Sequence, residues 1–270
     1  MKNKKFILLI TFIILLGLTI IYISTNAFDK FVCSSNDKID EKQIQITNLN
    51  KDTMGTIEEN NPEQENKKIN YSKIKLPEPV YSSNTSVEEA LSKRKSIRDF
   101  QKKPLSIENI SQILWAAQGI TDKGKNKRTA PSAGALYPLE IYILIGNVKE
   151  IESGIYKYKP HQHEIVLIAA GDKRGDLAKY CAQPEAIQTA PITLVFAAVY
   201  ERTSVKYGQR AERYVHIEVG HASQNVCLQV ISLNLGTVTI GAFQDSYVKK
   251  TVQMLQEEDP LYVMPIGYSR

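Results

Sequence analysis

Cysteine is scarce. Three in 270 residues, Cys33, Cys181 and Cys227, lie far apart, are odd in number and show no C-x-x-C or metal-ligand spacing. That excludes a disulfide framework and a cysteine-built zinc site, and allows one disulfide at most. Also missing are a G-x-G-x-x-G after a first strand and a Walker A pattern, so nothing cradles a dinucleotide or a triphosphate in the usual way. G-x-S-x-G, a Ser-His-Asp or Cys-His set and any internal repeat are absent too. The formal charge is +5, but no Lys/Arg cluster alternates with aromatics along a strand. Nucleic acid is therefore not an expected partner, and the surplus reads as a basic surface near an anionic membrane.

Charge is missing altogether from Phe6 to Ile23, which Lys2, Lys4 and Lys5 precede. Eighteen residues at about 1.5 Å each just span a hydrocarbon core. A cleaved signal peptide is the alternative, with Thr25-Asn26-Ala27 as its cleavage site. The run exceeds the usual signal-peptide core, so residues 1–27 are read as an uncleaved anchor. Positive charge before the helix then places the rest outside the cytoplasm. Residues 28–75 are rich in Asn, Lys, Glu, Asp, Gln and Ser, and read as a disordered polar tether. Residues 76–270 are long enough for one domain with a real core.

Within that domain Ser86 and Ser106 each open a helix as N-caps, the second with Ile107, Ile110, Ile113, Leu114 and Ala117 at helical spacing. Apolar runs over 139–145 and 192–199 predict buried strands, and 154–158 with 164–169 a hairpin. A long helix is predicted over 212–235, apolar nearly all round and so buried. Strands at 237–240 and 262–266 flank a helix near 247–255. Helices alternating with few strands give an α+β or α/β class, with helices on both faces of a sheet.

Candidate chemistry is concentrated in a few places. His161 and His163 can share one face of a strand end but lack a third ligand. His216 and His221 are five apart, a poor match to a helical zinc pair. In Arg94-Lys95-Ser96-Ile97-Arg98, Arg94, Ser96 and Arg98 can project from one side of an extended segment. Two guanidinium forks and a hydroxyl match a phosphate; alone, the segment reads more simply as an ordinary basic helix end. Pro131-Ser132-Ala133-Gly134-Ala135 brings small residues just ahead of a strand, as Ile240-Gly241-Ala242-Phe243 does after one. Bare backbone can approach a ligand closely there. Arg270 ends the chain in a cation.

Taken in order, Arg-Lys-Ser-x-Arg, Pro-Ser-Ala-Gly-Ala-Leu-Tyr-Pro, the Ile-Gly-Ala-Phe strand end, Leu76-Pro77-Glu78-Pro79 and the helix around Gly220-His221-Ala222-Ser223-Gln224-Asn225 resemble the FMN-dependent nitroreductase superfamily, in its SagB-type, azoline-oxidising dehydrogenase branch. The resemblance covers 76–270 and implies an α+β fold, a mostly antiparallel central sheet flanked by helices, and a homodimer with two FMN sites at its interface. It implies that Arg94, Ser96 and Arg98 hold the FMN phosphate and ribityl side, and that Pro131, Ser132, Ala133 and Gly134 line the isoalloxazine. Gly241 and Ala242 N–H groups would face flavin N5 and O4, with Arg270 as a phosphate partner. Ala135 stands where many relatives carry a polar flavin contact. Lys206-Tyr207 resembles the active-site pair of azoline oxidases, assisting proton removal while hydride passes to flavin. The bland reading of that pair is a surface turn. The expected activity is hydride transfer between flavin N5 and a small-molecule or peptide substrate, in either direction. A non-catalytic flavin- or protein-binding module at the membrane surface is the alternative.

Overall fold

A computed structural model describes residues 72–270. Seven strands form one sheet in the order β1-β6-β5-β4-β7-β9-β8, with every neighbouring pair antiparallel. They are β1 (Lys73–Lys75), β4 (Leu139–Ile145), β5 (Gly154–Lys159), β6 (Glu164–Ala170), β7 (Ile192–Ala198), β8 (Gly236–Thr237) and β9 (Asp259–Gly267). β2 (Ile120–Asp122) and β3 (Lys127–Arg128) make a separate two-stranded hairpin. The helices are α1 (Val87–Lys93), α2 (Ile107–Gln118), α3 (Arg174–Ala178), α4 (Pro184–Thr189), α5 (Tyr200–Tyr207), α6 (Ala211–Ser232) and α7 (Asp245–Val252). The class is α+β.

β4 and β7 read as unbroken apolar runs because both of their faces are covered. Ile141, Ile143, Ile145, Leu194 and Phe196 face α2 and α6, whose Ile110, Ile113, Leu114, Val215, Val219 and Val226 join the same core. One residue along each strand, Tyr142, Leu144, Val195 and Ala197 meet Leu177, Ile187, Val248 and Val252 from α3, α4 and α7. The period of two in a strand produces this division. Both expected serine caps are present: Ser86 Oγ accepts from Glu89 N, and Ser106 forms a reciprocal capping box with Asn109.

Composition assigned residues 73–75 to the tether, yet they form the edge strand β1 against β6. The chain that follows is strapped down. Gln112 clamps the Val80 N–H at 2.8 Å and its carbonyl at 3.0 Å. The His163 ring meets Ser111 Oγ, Tyr158 Oη and the Pro77 carbonyl at 2.7, 2.8 and 3.0 Å. Burial holds that imidazole below its ordinary pKa. His163 thus has a structural role, and His216 meets Tyr200 Oη at 2.7 Å. The apolar run at 6–23 and the rest of the tether lie outside the described residues. Among the described residues no helix is long and apolar enough to cross a membrane.

α6 departs from expectation. It is not buried all round: Ile217 is 49 % exposed, and Arg213, His216 and His221 also face outward. Its buried side is the stripe through Val215, Val219, Ala222, Val226 and Val230, together with Ala211, Glu218 and Ser223.

Candidate functional site

The segment from Thr129 to Pro138 links β3 to β4 through a strained turn. Ala133–Ala135 makes a single 3-10 turn, with Ala135 N donating to the Ser132 carbonyl and Leu136 N to that of Ala133. Ser132 Oγ accepts from Tyr137 N at 2.9 Å. Three residues here have left-handed φ: Gly134 (63°), Ala135 (56°) and Tyr137 (48°). Such conformations cost on the order of 1–3 kcal/mol each for residues with a Cβ, and they cluster at functional sites.

Gly134 is held to glycine by a neighbour as well as by φ. A Cβ there would lie 3.0 Å from Tyr207 Oη and 3.1 Å from Lys206 Nζ. The structure therefore brings the expected Lys206-Tyr207 pair directly over the expected binding turn. Both residues stand at the C-terminal end of α5, which stops where Gly208 turns to φ 51°. Tyr207 packs edge-to-face on Tyr214, with centroids 4.9 Å apart, while Lys206 is exposed.

Beneath the turn lies a residue that the motifs did not single out. Glu218 of α6 is 2 % exposed, and its Oε1 has no hydrogen-bond partner among the described residues. Burial pushes its carboxyl up to about 7, against the opposing pull of Ser132, Arg128 and Gln118. Arg128 Nη1 donates to Gln118 Oε1 at 3.0 Å, and its guanidinium stacks 4.3 Å from the Tyr137 ring centroid. Arg128 Nε and Gln118 Nε2 are likewise buried without partners. An acid on the helix face of Val215, Val219 and Ala222 was the available signal for Glu218.

The phosphate-type residues collect elsewhere. Arg94 caps the C-terminus of α1, and the chain leaves extended. Ser96 bridges Thr237 of β8, and Ile97 N donates to the Thr237 carbonyl at 2.9 Å. Ile97 packs against Gly236, and Arg94, Ser96 and Arg98 are exposed, whereas Phe100, of the same parity, is buried, so the alternation ends before it. Arg270 joins them: its N–H donates to the Asp99 carbonyl at 3.1 Å, and its Nη1 lies 3.3 Å from Asp99 Oδ1. After Ile240, which pairs with Val263 of β9, Gly241 and Ala242 lie exposed, Gly241 over the Tyr262 ring. The Ala242 carbonyl accepts from Ala182 N at 2.8 Å.

Among the described residues no backbone hydrogen bond or ion pair joins these two groups. The turn meets α6 at Glu218, and Arg94 acts on Cys227 of the same helix, where its charge opposes the upward shift that burial gives the thiol. Those positions are nine residues apart, about 13 Å along a helix. α6 therefore runs past both candidate half-sites.

With this geometry established, kinship is decisive. The pattern of the Nitroreductase family matches residues 91–268. The chain belongs to that family. It is 44 % identical over 194 residues to a Methanocaldococcus jannaschii protein that carries the nitroreductase name, covering 72 % of this chain and 95 % of that one. It is 29 % identical over 172 residues to the microcin B17-processing protein McbC of Escherichia coli, covering 62 % of this chain and 63 % of that one, slightly less than two thirds of its length. Among solved structures, the E. coli microcin synthetase McbBCD complex with truncated pro-microcin B17 bound has a similar chain, with TM-score 0.59 and 28 % identity over 80 % of this chain and 85 % of that one. The nitroreductase fold and an oxidoreductase class follow from this membership.

Proposed function

We propose that this nitroreductase-family oxidoreductase is FMN-dependent and oxidises azoline-type rings in a peptide, as a homodimer. One observation carries the reading: Lys206 Nζ and Tyr207 Oη converge on a single point above Gly134. A proton acceptor and a cation thus face the backbone that would lie against the cofactor. The described residues suit FMN. Arg94, Ser96, Arg98 and Arg270 form an outward-facing cationic and hydroxyl set. Gly241 and Ala242 present exposed backbone at a strand end, and Pro131 to Gly134 offer a face without bulk. Flavin, when bound, supplies the two-electron carrier at N5.

This chain's own residues do the rest. Tyr207, as its phenolate held beside the Lys206 ammonium, would take the proton from the substrate carbon beside the one that loses hydride and become the neutral phenol. Gly241 and Ala242, whose backbone is exposed at the strand end, would offer N–H donors to the bound flavin. The outward face of α6, with Ile217 and Arg213, is the surface on which a second copy would join the half-sites. Similarity to a microcin-processing protein, and to a complex with a pro-microcin bound, supports a peptide substrate.

Turnover of a synthetic thiazoline-containing peptide tests the reading. Tyr207→Phe and Lys206→Ala each lower kcat by about 100-fold or more, with bound flavin unchanged. Equal turnover in the variants removes the proton-transfer role.

A further inference from the structure

Arg202 lies one helical turn before Lys206 on α5, and its guanidinium is divided between two tasks. Nη1 donates to the Tyr137 carbonyl at 3.2 Å, at the end of the strained turn. Nη2 pairs with Glu140 Oε1 at 2.5 Å. Glu140 does not end the chain of contacts. Its Oε2 lies 3.1 Å from Lys157 Nζ, and Lys157 pairs with Glu258. Glu258 in turn accepts from Tyr142 Oη at 2.5 Å and from Leu255 N at 3.1 Å.

Lys157 and Glu258 are 8 % and 1 % exposed in their side chains, so this array runs from the interior of the sheet to the surface of α5. Its charges balance, with two cations, Lys157 and Arg202, against two carboxylates, Glu140 and Glu258. Burial alone would raise the Glu258 carboxyl, but hydrogen bonds from Lys157 and Tyr142 hold it below its ordinary value. Buried pairs are costly to break, because removing one member strands the other in a medium of low dielectric. The interior array is therefore a rigid mount, and Arg202 is its only member on α5.

α5 needs such a mount. It has no side-chain N-cap, Thr203 is its single buried residue and Val205 is 88 % exposed; beyond Tyr200 on His216 and Tyr207 on Tyr214 it has few ties of its own. Short isolated helices are marginal in water. Its register against the turn nevertheless decides whether Lys206 and Tyr207 stand over Gly134.

We infer that Arg202 is the positioning residue of the site: it pins the Lys206-Tyr207 helix to the Pro131–Tyr137 turn, with Glu140, Lys157 and Glu258 as its anchor. A guanidinium is required, since its fork reaches a carbonyl and a carboxylate at fixed separation, which a lysine ammonium does not. The catalytic consequence rests on the proposed function; the structural one does not.

The test uses the full chain saturated with FMN, and the variants Arg202→Met, Arg202→Lys and Glu140→Gln. Hydrogen exchange is followed by mass spectrometry on peptides from 200–207 and 129–138, with 192–198 as the internal reference. All three variants are expected to speed exchange by about 10-fold or more in the first two regions only, as expected for local opening. With the thiazoline peptide, kcat falls by about 10- to 100-fold at unchanged KM and flavin content, as a misplaced pair requires, and Arg202→Lys does not restore it. If Arg202→Met unfolds the protein, Arg202→Lys and Glu140→Gln decide alone. Unchanged exchange over 200–207 in folded variants overturns the inference. A wild-type protein inert toward the peptide overturns the proposed substrate, and the exchange measurement then still decides the role of Arg202.

Discussion

β4 and the turn that feeds it are neighbours in the chain and opposites in physics. From Leu139 to Ile145 every residue pairs with β7 in unbroken register, and all but Glu140 are buried. Between Arg128 and Tyr137 there are three left-handed residues, and buried nitrogens of Arg128 and Gln118 and an oxygen of Glu218 lack partners. The strand is built for stability. The turn stores strain and unsatisfied polarity, and the Lys206-Tyr207 pair lies over it. Folding stability and the candidate site thus fall on adjacent segments, with the first holding the second in place.

That division can be attacked from each side. The largest effect on folding is expected from Ile143→Ala, which opens a void between β4 and α6. It should cost about 2–5 kcal/mol in denaturant unfolding, while flavin per folded molecule stays the same. Gly134→Val acts in the opposite sense. A Cβ at φ 63° beside Tyr207 Oη and Lys206 Nζ should cost only about 1–3 kcal/mol of stability. Flavin retention and turnover should nevertheless be lost. A variant that keeps both would show that the small residue serves the backbone alone.

The smallest effect is a slope. Glu218 has its folded pKa raised from 4.5 to about 7. The folded protein therefore binds more proton than the unfolded chain between those values. The stability from this group is complete below about pH 4.5 and is lost as pH rises to about 7, up to about 3 kcal/mol in all. Thermal unfolding of Glu218→Gln across that window should lack this decline. A parallel decline in variant and wild type would place the proton elsewhere.

Legibility from sequence follows the same division. The apolar runs of β4 and β7 located both strands to within a residue, because burial on both faces leaves a strong signal. β1, the β2–β3 hairpin, α4 and α5 went unread: each is short, and even α4 offers only Ala186 and Ile187 to the core. α5 has neither a cap nor a stripe, and long-range contacts such as Arg202 with Glu140 hold it in place. The face of α6 around Ile217 was read as buried because periodicity shows which residues are apolar, not what covers them. The small residues before β4 were legible as an anomaly. The sequence could not disclose that their first neighbour is the Lys206-Tyr207 pair, which lies some 70 residues away in the chain. Glu218 was hidden for a simpler reason: a glutamate in a helix is ordinary until its surroundings are known.

The central claim is that the strained turn and the arginine set serve a flavin. The visible absorption spectrum of the purified full chain, before and after incubation with FMN and desalting, tests it most directly. The account predicts a yellow protein with flavin bands that survive desalting, at about one FMN per chain, and are lost in Gly134→Val and in Arg94→Ala/Arg98→Ala. A folded wild-type protein that stays colourless after incubation with FMN would contradict it.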